Sequence, residues 1–434
     1  MLRDFPQPAR DTVSTQGEYY QERTRGVLYL PSLVAPPTGA GLVQHDSGGH
    51  ALMSWNHRFA AGSDVTLKAY FDTATTQDYT ASITVRTYDV EMVDRLRLGP
   101  RNELIWGSGF REVDYATAAS RYLFWTPPSG GEQIFNAFAQ DDFTLTRTLH
   151  LIGGIKVEHN TYTGWENEPS VRLIWEPNAN HTVWAAVSQA IRVPSIGEEF
   201  GRINIAGTPA TLRSPPVQVA ILGNPALQKS ERLTAYEAGY RGALTPRLSV
   251  DLSAFYNRYA DMTSTVPGAP RLEIAPGPPH LLVPLYFGNL LRGDTYGGEM
   301  SAKWRVTPNW DLAAGYSLLR GKLVGDNPAL TLTPQPNAIG TSPRHQIQAR
   351  SHMVLPWRTE LDVAVYRVAS VPSERVDAYT RLDLRLGWRP NDHLSFSLAG
   401  QNLLQSRHQE FLPVYFATAL QVPRTVYLTA TLGF

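Results

Sequence analysis

From Arg424 to Phe434 apolar residues occupy every second position: Val426, Leu428, Ala430, Leu432 and Phe434 alternate with Thr425, Tyr427, Thr429, Thr431 and Gly433. A period of two sends successive side chains to opposite faces, so the segment predicts a strand with one apolar face. The pattern recurs upstream. Leu394, Phe396 and Leu398 alternate with Ser395, Ser397 and Ala399; Leu382, Leu384, Leu386 and Trp388 alternate with Arg381, Asp383, Arg385 and Gly387. Leu361, Val363 and Val365, and Leu248, Val250, Leu252 and Ala254, repeat it. The polar partners are mostly Ser, Thr, Asp, Arg, Gln and Tyr rather than the Lys and Glu of a soluble sheet surface.

Short turn signals separate these runs in pairs: Ala61-Gly62-Ser63, Leu98-Gly99-Pro100, Thr146-Arg147, Pro177-Asn178-Ala179-Asn180, Thr245-Pro246, Thr307-Pro308-Asn309, Pro356-Trp357-Arg358 and Pro390-Asn391-Asp392. At the opposite ends the connections 191–230, 260–283, 321–342 and 404–423 are far longer. Short turns at one end and long loops at the other are the habit of an outer-membrane barrel. Trp175, Trp184, Trp304, Trp310, Trp357 and Trp388 lie close to short turns, as an aromatic girdle at a membrane boundary requires.

Composition narrows the class. The 434 residues carry 39 basic and 39 acidic side chains, no cysteine and only 18% charged residues. Zero formal net charge gives no electrostatic footprint for nucleic acid. The absence of cysteine removes disulfides, thiolate metal sites and cysteine nucleophiles. No apolar stretch reaches the roughly 18 residues of a transmembrane helix, a limit that does not touch strands. Met1-Leu2-Arg3-Asp4-Phe5-Pro6 has no apolar run, so the sequence reading expects either a cytoplasmic protein or a missing true N-terminus.

Eight short turns define sixteen strands, and the C-terminal strand makes seventeen. An antiparallel barrel closes only on an even number, so the expectation is a fragment or a count one short. Residues 1–47, with Pro31, Pro36 and Pro37, are expected to be an N-terminal remnant, an extracellular loop, and residues 48–434 a partial barrel; Gly26-Val27-Leu28-Tyr29-Leu30 is left open as a further short strand.

Several segments carry a family resemblance. Asn136-Ala137-Phe138-Ala139-Gln140-Asp141-Asp142-Phe143, Ala190-Ile191-Arg192-Val193-Pro194-Ser195-Ile196-Gly197-Glu198, Asn224-Pro225-Ala226-Leu227-Gln228-Lys229-Ser230-Glu231, Tyr236-Glu237-Ala238-Gly239, Ala254-Phe255-Tyr256-Asn257, Tyr296-Gly297-Gly298-Glu299-Met300, Gln401-Asn402-Leu403-Leu404 and Pro423-Arg424-Thr425-Val426-Tyr427 are similar to motifs of the TonB-dependent outer-membrane receptors. Their order and spacing over about residues 48–434 carry the likeness. It implies an all-β transmembrane antiparallel barrel, here about 17 of an expected 22 strands, in the bacterial outer membrane. It also implies import of scarce ligands such as iron–siderophore complexes or cobalamin. The implied partners are outer-membrane lipid, a metal chelate or similar small molecule, a TonB-type energy transducer engaging a region N-terminal to the barrel, and the barrel-assembly machinery. Val426, Leu428, Ala430, Leu432 and Phe434 resemble the family's barrel-assembly signal. No cofactor and no catalytic residue are implied.

Phe200, Arg202, Arg213, Tyr286, Phe411, Tyr415 and Phe416, all in long loops, are candidates to line an external ligand vestibule, since aromatic and Arg side chains supply most hot-spot contacts. Other constellations are weaker. His45-Asp46-Ser47-Gly48-Gly49-His50 holds the residue types of a hydrolase site without the G-x-S-x-G elbow, and His345 with His352, or His57 with His45, lack metal-ligand spacing. Asp141-Asp142 and Glu198-Glu199 are adjacent rather than facing, which suits loop ends better than an acid/base pair. A passive outer-membrane channel stays open as the alternative function, and a barrel-embedded hydrolase at His45 or Ser47 as a third.

Overall fold

A computed structural model of the chain describes residues 10–36, 39–59, 62–78, 80–118, 120–275, 277–325, 341–411 and 420–433. In chain order the strands are β1 (Asp11–Tyr29), β2 (Gly39–Arg58), β3 (Asp64–Gln77), β4 (Ser82–Arg97), β5 (Asn102–Ala118), β6 (Leu123–Trp125), β7 (Ser129–Thr146) and β8 (Leu149–Asn160). Then come β9 (Gly164–Asn178), β10 (His181–Arg192), helix α1 (Ile196–Phe200), β11 (Gly201–Thr208), β12 (Val217–Leu222), β13 (Glu231–Thr245), β14 (Leu248–Pro267), β15 (Arg271–Glu273) and β16 (His280–Thr307). The last are β17 (Trp310–Gly325), β18 (His345–Leu355), β19 (Thr359–Val368), β20 (Tyr379–Trp388), β21 (Leu394–Gln401), β22 (Arg407–His408), β23 (Val422–Pro423) and β24 (Thr425–Leu432).

Leaving aside the short β6, β11, β12, β15, β22 and β23, eighteen strands build one antiparallel wall, each bonded to the next in sequence from β1–β2 to β21–β24. All eight short turns fall where the sequence places them, with Ala61 outside the described residues. The count of seventeen is corrected by β1. The described part of 1–47 is mostly strand: Asp11–Tyr29 pairs along its whole length with β2, which itself begins at Gly39 rather than near residue 48. The strand escapes periodicity because one face is polar and the other mixes Val and Tyr with Thr, Gly, Gln and Arg. Val13, Thr15, Gly17 and Tyr19 share one face, and Thr12, Ser14, Gln16 and Glu18 the other.

Eighteen restores even parity, so β1 and β24 run in opposite directions. Among the described residues neither pairs on its second edge, and almost all of both strands is exposed.

Register sorts the two faces of the wall. One hydrogen-bonded row runs Leu248–Trp304–Leu312–Ser351–Val363–Leu384–Gly400–Val426, climbing from the short-turn end of β14 to the loop end of β24 as tilted strands require. This outer face is apolar and open, with Leu428 71% exposed. Acyl chains cover it, since leaving it in water forgoes about 25 cal/mol per Å². Trp175, Trp304 and Trp388 stand on it near the short turns, and Trp357 projects from the β18–β19 turn. Trp184 departs from the expected girdle. It pairs with Ile174 and Gly239 on the inner face, where a Cβ on Gly239 would meet its ring at 2.5 Å.

The inner face carries charge: Arg241–Asp251 (2.6 Å), Arg111–Asp89 (2.8 Å), Lys156 between Glu158 and Glu168 (both 2.9 Å), Arg381–Asp383 (2.7 Å), and Asp362 shared by Arg385 (2.6 Å) and His352 (2.7 Å). Asp141 and Asp142 lie within β7 on opposite faces of the wall, not at a loop end, because an extended strand separates neighbours.

Deep burial is concentrated at the long-loop end. There β6 pairs with β11, β11 with β12, and β12 runs parallel to the first half of β16, where Leu282, Ala220 and His280 are fully buried. Of these, β11 and β12 lie inside the stretch 191–230, which read as a loop from its length and its Pro, Gly and polar content.

Candidate functional site

The loop end is where the fold spends its buried polar chemistry, and three clusters organise it. The first forms around Arg192, the last residue of β10. Its guanidinium donates to both carboxylate oxygens of Glu198 (3.0 and 2.9 Å), to Glu231 at the start of β13 (2.7 Å), and to the hydroxyl of Thr263 on β14. The Thr263 N–H in turn donates to Glu231 (2.7 Å) and its hydroxyl to Glu198 (3.0 Å). One side chain thereby ties two wall strands and a loop helix to a third strand.

Helix α1 is short and starts with a capping box. The Glu198 N–H donates to Ser195 Oγ (3.3 Å) and the Ser195 N–H donates to Glu198 Oε2 (2.7 Å). The sequence signal was Ser195-Ile196-Gly197-Glu198, an S-x-x-E spacing that marks a helix start. Burial pushes the Glu198 carboxyl up, but the bonds from Arg192 and Ser195 outweigh it and hold the group below the ordinary glutamate range.

Glu199 is the opposite case. It is 3% exposed, and burial, then the neighbouring Glu198 and Glu132, push it up to about 7. Close by are the Tyr162 hydroxyl, the Trp125 indole N–H and Glu132 Oε1, each buried without a hydrogen-bond partner. Burial also pushes the Tyr162 hydroxyl up.

The second cluster explains Arg202. Its guanidinium makes a two-pronged bridge to Glu273 of β15 (2.8 and 2.7 Å), donates through Nε to Asn204 (2.9 Å), and lies 5.6 Å above the Phe124 ring. His280, fully buried, reaches the same carboxylate at 3.0 Å, and Arg202 is the first cause holding Glu273 below its ordinary range. Arg202 is thus taken up in tying β11 to β15.

The third cluster is aromatic and sits over β20. Tyr379 stacks on His408 with ring centres 4.1 Å apart, and His408 Nε2 lies 2.8 Å from Glu410.

The other loop candidates do not converge. Phe200 ends α1 and meets Tyr162 edge-on, with ring centres 6.1 Å apart. Arg213 projects from the Thr211–Ser214 turn, Tyr286 accepts a bond from Arg271 (2.7 Å), and Phe411 is exposed. Tyr415 and Phe416 lie outside the described residues, as does Phe434 of the terminal signal. Of that signal Val426, Leu428, Ala430 and Leu432 share the outer face of β24, opposite Gly400, Leu398, Phe396 and Leu394.

The wall itself holds a polar recess of about 410 Å³, lined on the inner face by Asp251, Ser253, Glu299, Ser301, Ser317, Gln346 and Gln348. His45, Asp46 and Ser47 are consecutive in β2, so His45 and Ser47 share one face and Asp46 points to the other, taken by Gln44 and Thr76 (both 2.8 Å). They do not assemble a triad. No grouping of three or more His, Asp or Glu suited to a metal occurs among the described residues.

The chain can be placed by comparison. The family described as TonB dependent receptor-like, beta-barrel matches residues 5–403. An iron-regulated outer membrane virulence protein of Vibrio cholerae is 25% identical over 184 residues, which is 42% of this chain and 26% of that protein. The probable TonB-dependent receptor BfrD of Bordetella pertussis is 26% identical over 252 residues, 55% of this chain and 32% of that protein. The matched segment thus spans about a quarter to a third of these curated relatives. Among solved structures, the siderophore receptor PirA of Pseudomonas aeruginosa superposes with a TM-score of 0.70 at 13% identity, covering 100% of this chain and 69% of that one. The FrpB iron transporter of Neisseria meningitidis gives 0.73 at 13% identity, covering 98% and 69%. With an apolar outer face, a charged inner face, short turns at one end and a family match over nearly its whole length, this chain belongs to the TonB-dependent receptor β-barrel family of the outer membrane.

Proposed function

We propose that the chain is the barrel portion of an energy-coupled receptor that imports a scarce metal chelate, an iron–siderophore complex above all. The observation that carries this reading is the asymmetry of the two ends. Turns of two to five residues close one end, whereas the other is built into a packed polar roof by α1, β6, β11, β12 and β15. A receptor needs such a roof to hold binding loops in place; a diffusion pore gains nothing from it. The named iron and siderophore functions of the relatives favour a ferric ligand over cobalamin. In this reading the ion pairs of the inner face meet water or a plugging domain, a TonB-type transducer supplies energy through a region outside the barrel, and the assembly machinery reads β24. No catalytic residue is assigned.

Uptake of radiolabelled ferric siderophores by cells lacking the gene tests the proposal. Loss of uptake that the intact gene restores, and that a protonophore abolishes in the restored cells, is the expected result. Solute flux that persists under the protonophore, with steady conductance of the purified protein in planar bilayers, establishes the passive channel instead. Loss of cobalamin uptake alone moves the ligand class.

A further inference from the structure

Near the short turns, two neighbouring inward rows of the wall treat their charges differently. The lower row runs Arg305–Asp311–His352–Asp362–Arg385 across β16 to β20. Its signs alternate and answer one another, with Arg305–Asp311 at 3.3 Å, His352–Asp362 at 2.7 Å and Arg385–Asp362 at 2.6 Å. The next inward row runs Ser249–Lys303–Ala313–Arg350–Ala364 and then reaches Asp383, which Arg381 takes at 2.7 Å. Its two cations are left without a carboxylate.

Lys303 and Arg350 flank Ala313 on either side, two strand spacings and so about 10 Å apart at the backbone. Both side chains are exposed, and neither head group has an ion-pair or hydrogen-bond partner among the described residues. Arg350 lies 5.8 Å from the centre of the Tyr366 ring, a contact that steadies a guanidinium without neutralising it. The small Ala313 side chain leaves a hollow between the two cations. It forms part of a recess of about 490 Å³, lined also by Ser249, His352 and Arg247 of the β13–β14 turn. The one carboxylate in that lining, Asp311, is engaged by Arg305. The volume falls in the range of roughly 300–1,000 Å³ typical of small-ligand sites.

Height follows from counting. Lys303 stands four residues before the end of β16 and Arg350 five before the end of β18. At about 3.3 Å per residue and a tilt near 40°, the pair sits about 10–13 Å from the strand ends, on the lumen side. A solute that has passed the roof meets these cations near its way out. A cleft of one sign concentrates counter-ions. Two long cationic side chains converging over a small residue suit an anion with several oxygens, which accept from the guanidinium fork and the ammonium together.

We propose that Lys303 and Arg350 form an anion site at the short-turn end of the lumen, which holds a carboxylate- or catecholate-bearing metal chelate before it leaves. The role in passage rests on the import of a chelate proposed above; the anion site itself does not.

The test uses the full-length receptor purified in mild detergent. Radiolabelled citrate and 2,3-dihydroxybenzoate are the probes, with neutral 2,3-dihydroxybenzamide as the uncharged control, and binding is read by equilibrium dialysis. Saturable binding of the two anions is expected, weakened about tenfold in a K303Q/R350Q variant and by added salt, and restored in K303R/R350K. A K68Q variant on β3, where the inward lysine already faces Glu91 at 3.8 Å, binds as the native protein does. Heat-modifiable migration shows that each variant is folded. Equal binding of the neutral amide, or an unchanged affinity in K303Q/R350Q, overturns the proposal. No saturable binding, with a lowered thermal midpoint in K303Q/R350Q, assigns the two cations to acidic side chains of a domain that fills the lumen and also overturns it. In cells, maximal uptake of iron as its citrate or dihydroxybenzoate complex is expected to fall about fivefold in K303Q/R350Q at an unchanged half-saturation. A raised half-saturation with unchanged maximal uptake moves the pair to the entry step and overturns the role in passage. Cells that import neither complex fail the proposed function instead, and the dialysis decides the anion site without them.

Discussion

Arg192 joins β10, α1, β13 and β14 with one guanidinium, and its removal strands two carboxylates that are largely shielded from water. Unpaired buried charges are costly, though Arg192 itself is 43% exposed and water softens the loss. Arg192→Met is therefore expected to destabilise the loop end by about 2 kcal/mol, read as faster amide exchange over 193–230 with the wall strands unchanged.

Glu199 sets a pH dependence of opposite sign to its neighbour. Its folded value, about 7, lies above the ordinary 4.5. The stability it permits is complete below 4.5 and is lost as the pH rises through about 7, because only the unfolded side chain ionises in that window. Glu198, held below 4.5, contributes stability above that value and loses it as the pH falls through its folded value. Protease nicking within 193–230 is expected to quicken between pH 5 and about 8. Glu199→Gln flattens that rise, while Glu198→Gln quickens nicking throughout. An unchanged pH profile in Glu199→Gln removes this account.

At the scale of elements, α1 is seated by a close backbone approach. A Cβ on Gly223 would stand 2.5 Å from the Glu199 carbonyl oxygen and 2.6 Å from the Phe200 nitrogen, both main chain, so neither can swing away. Gly223→Val is expected to displace α1 at a cost of about 1–3 kcal/mol, seen as a lower thermal midpoint for the loop-end signals.

On β24 the relevant environment is lipid. Leu428, opposite Leu398 on the outer face, stands mid-strand, where Arg costs about 2–4 kcal/mol. Leu428→Arg is expected to lower the amount of receptor reaching the outer membrane several-fold, whereas Thr429→Arg on the inner face is tolerated; immunoblots of membrane fractions compare the two.

For the molecule as a whole the edges decide behaviour. β1 and β24 are antiparallel and, among the described residues, unpaired on one side. A lipid-exposed strand edge leaves backbone groups unsatisfied at several kcal/mol each. The 434-residue product on its own is expected not to yield a heat-modifiable, protease-resistant species in detergent or lipid. Migration as a compact, closed pore in cold gel electrophoresis contradicts this.

What the sequence determined by itself was the wall. Wherever a strand has lipid on one side and water on the other, apolar and polar residues must alternate, and β14, β19 to β21 and β24 could be read directly. The turns were equally legible, since Pro, Gly and Asn mark reversals for local steric reasons. Only the tertiary structure decided the rest. β1 is polar on one face and mixed on the other, so no period betrays it. β6 and β15 span only three residues each, and β6, β11, β12 and β15 are held by the segments they pair with. Arg202 looked like a free loop cation until Glu273, 71 positions away, was brought to it. Trp184 carried the residue type of a girdle but the wrong parity for one. Local pattern encodes what a residue meets across one strand's two faces, and partners far along the chain are settled by how the sheet curls.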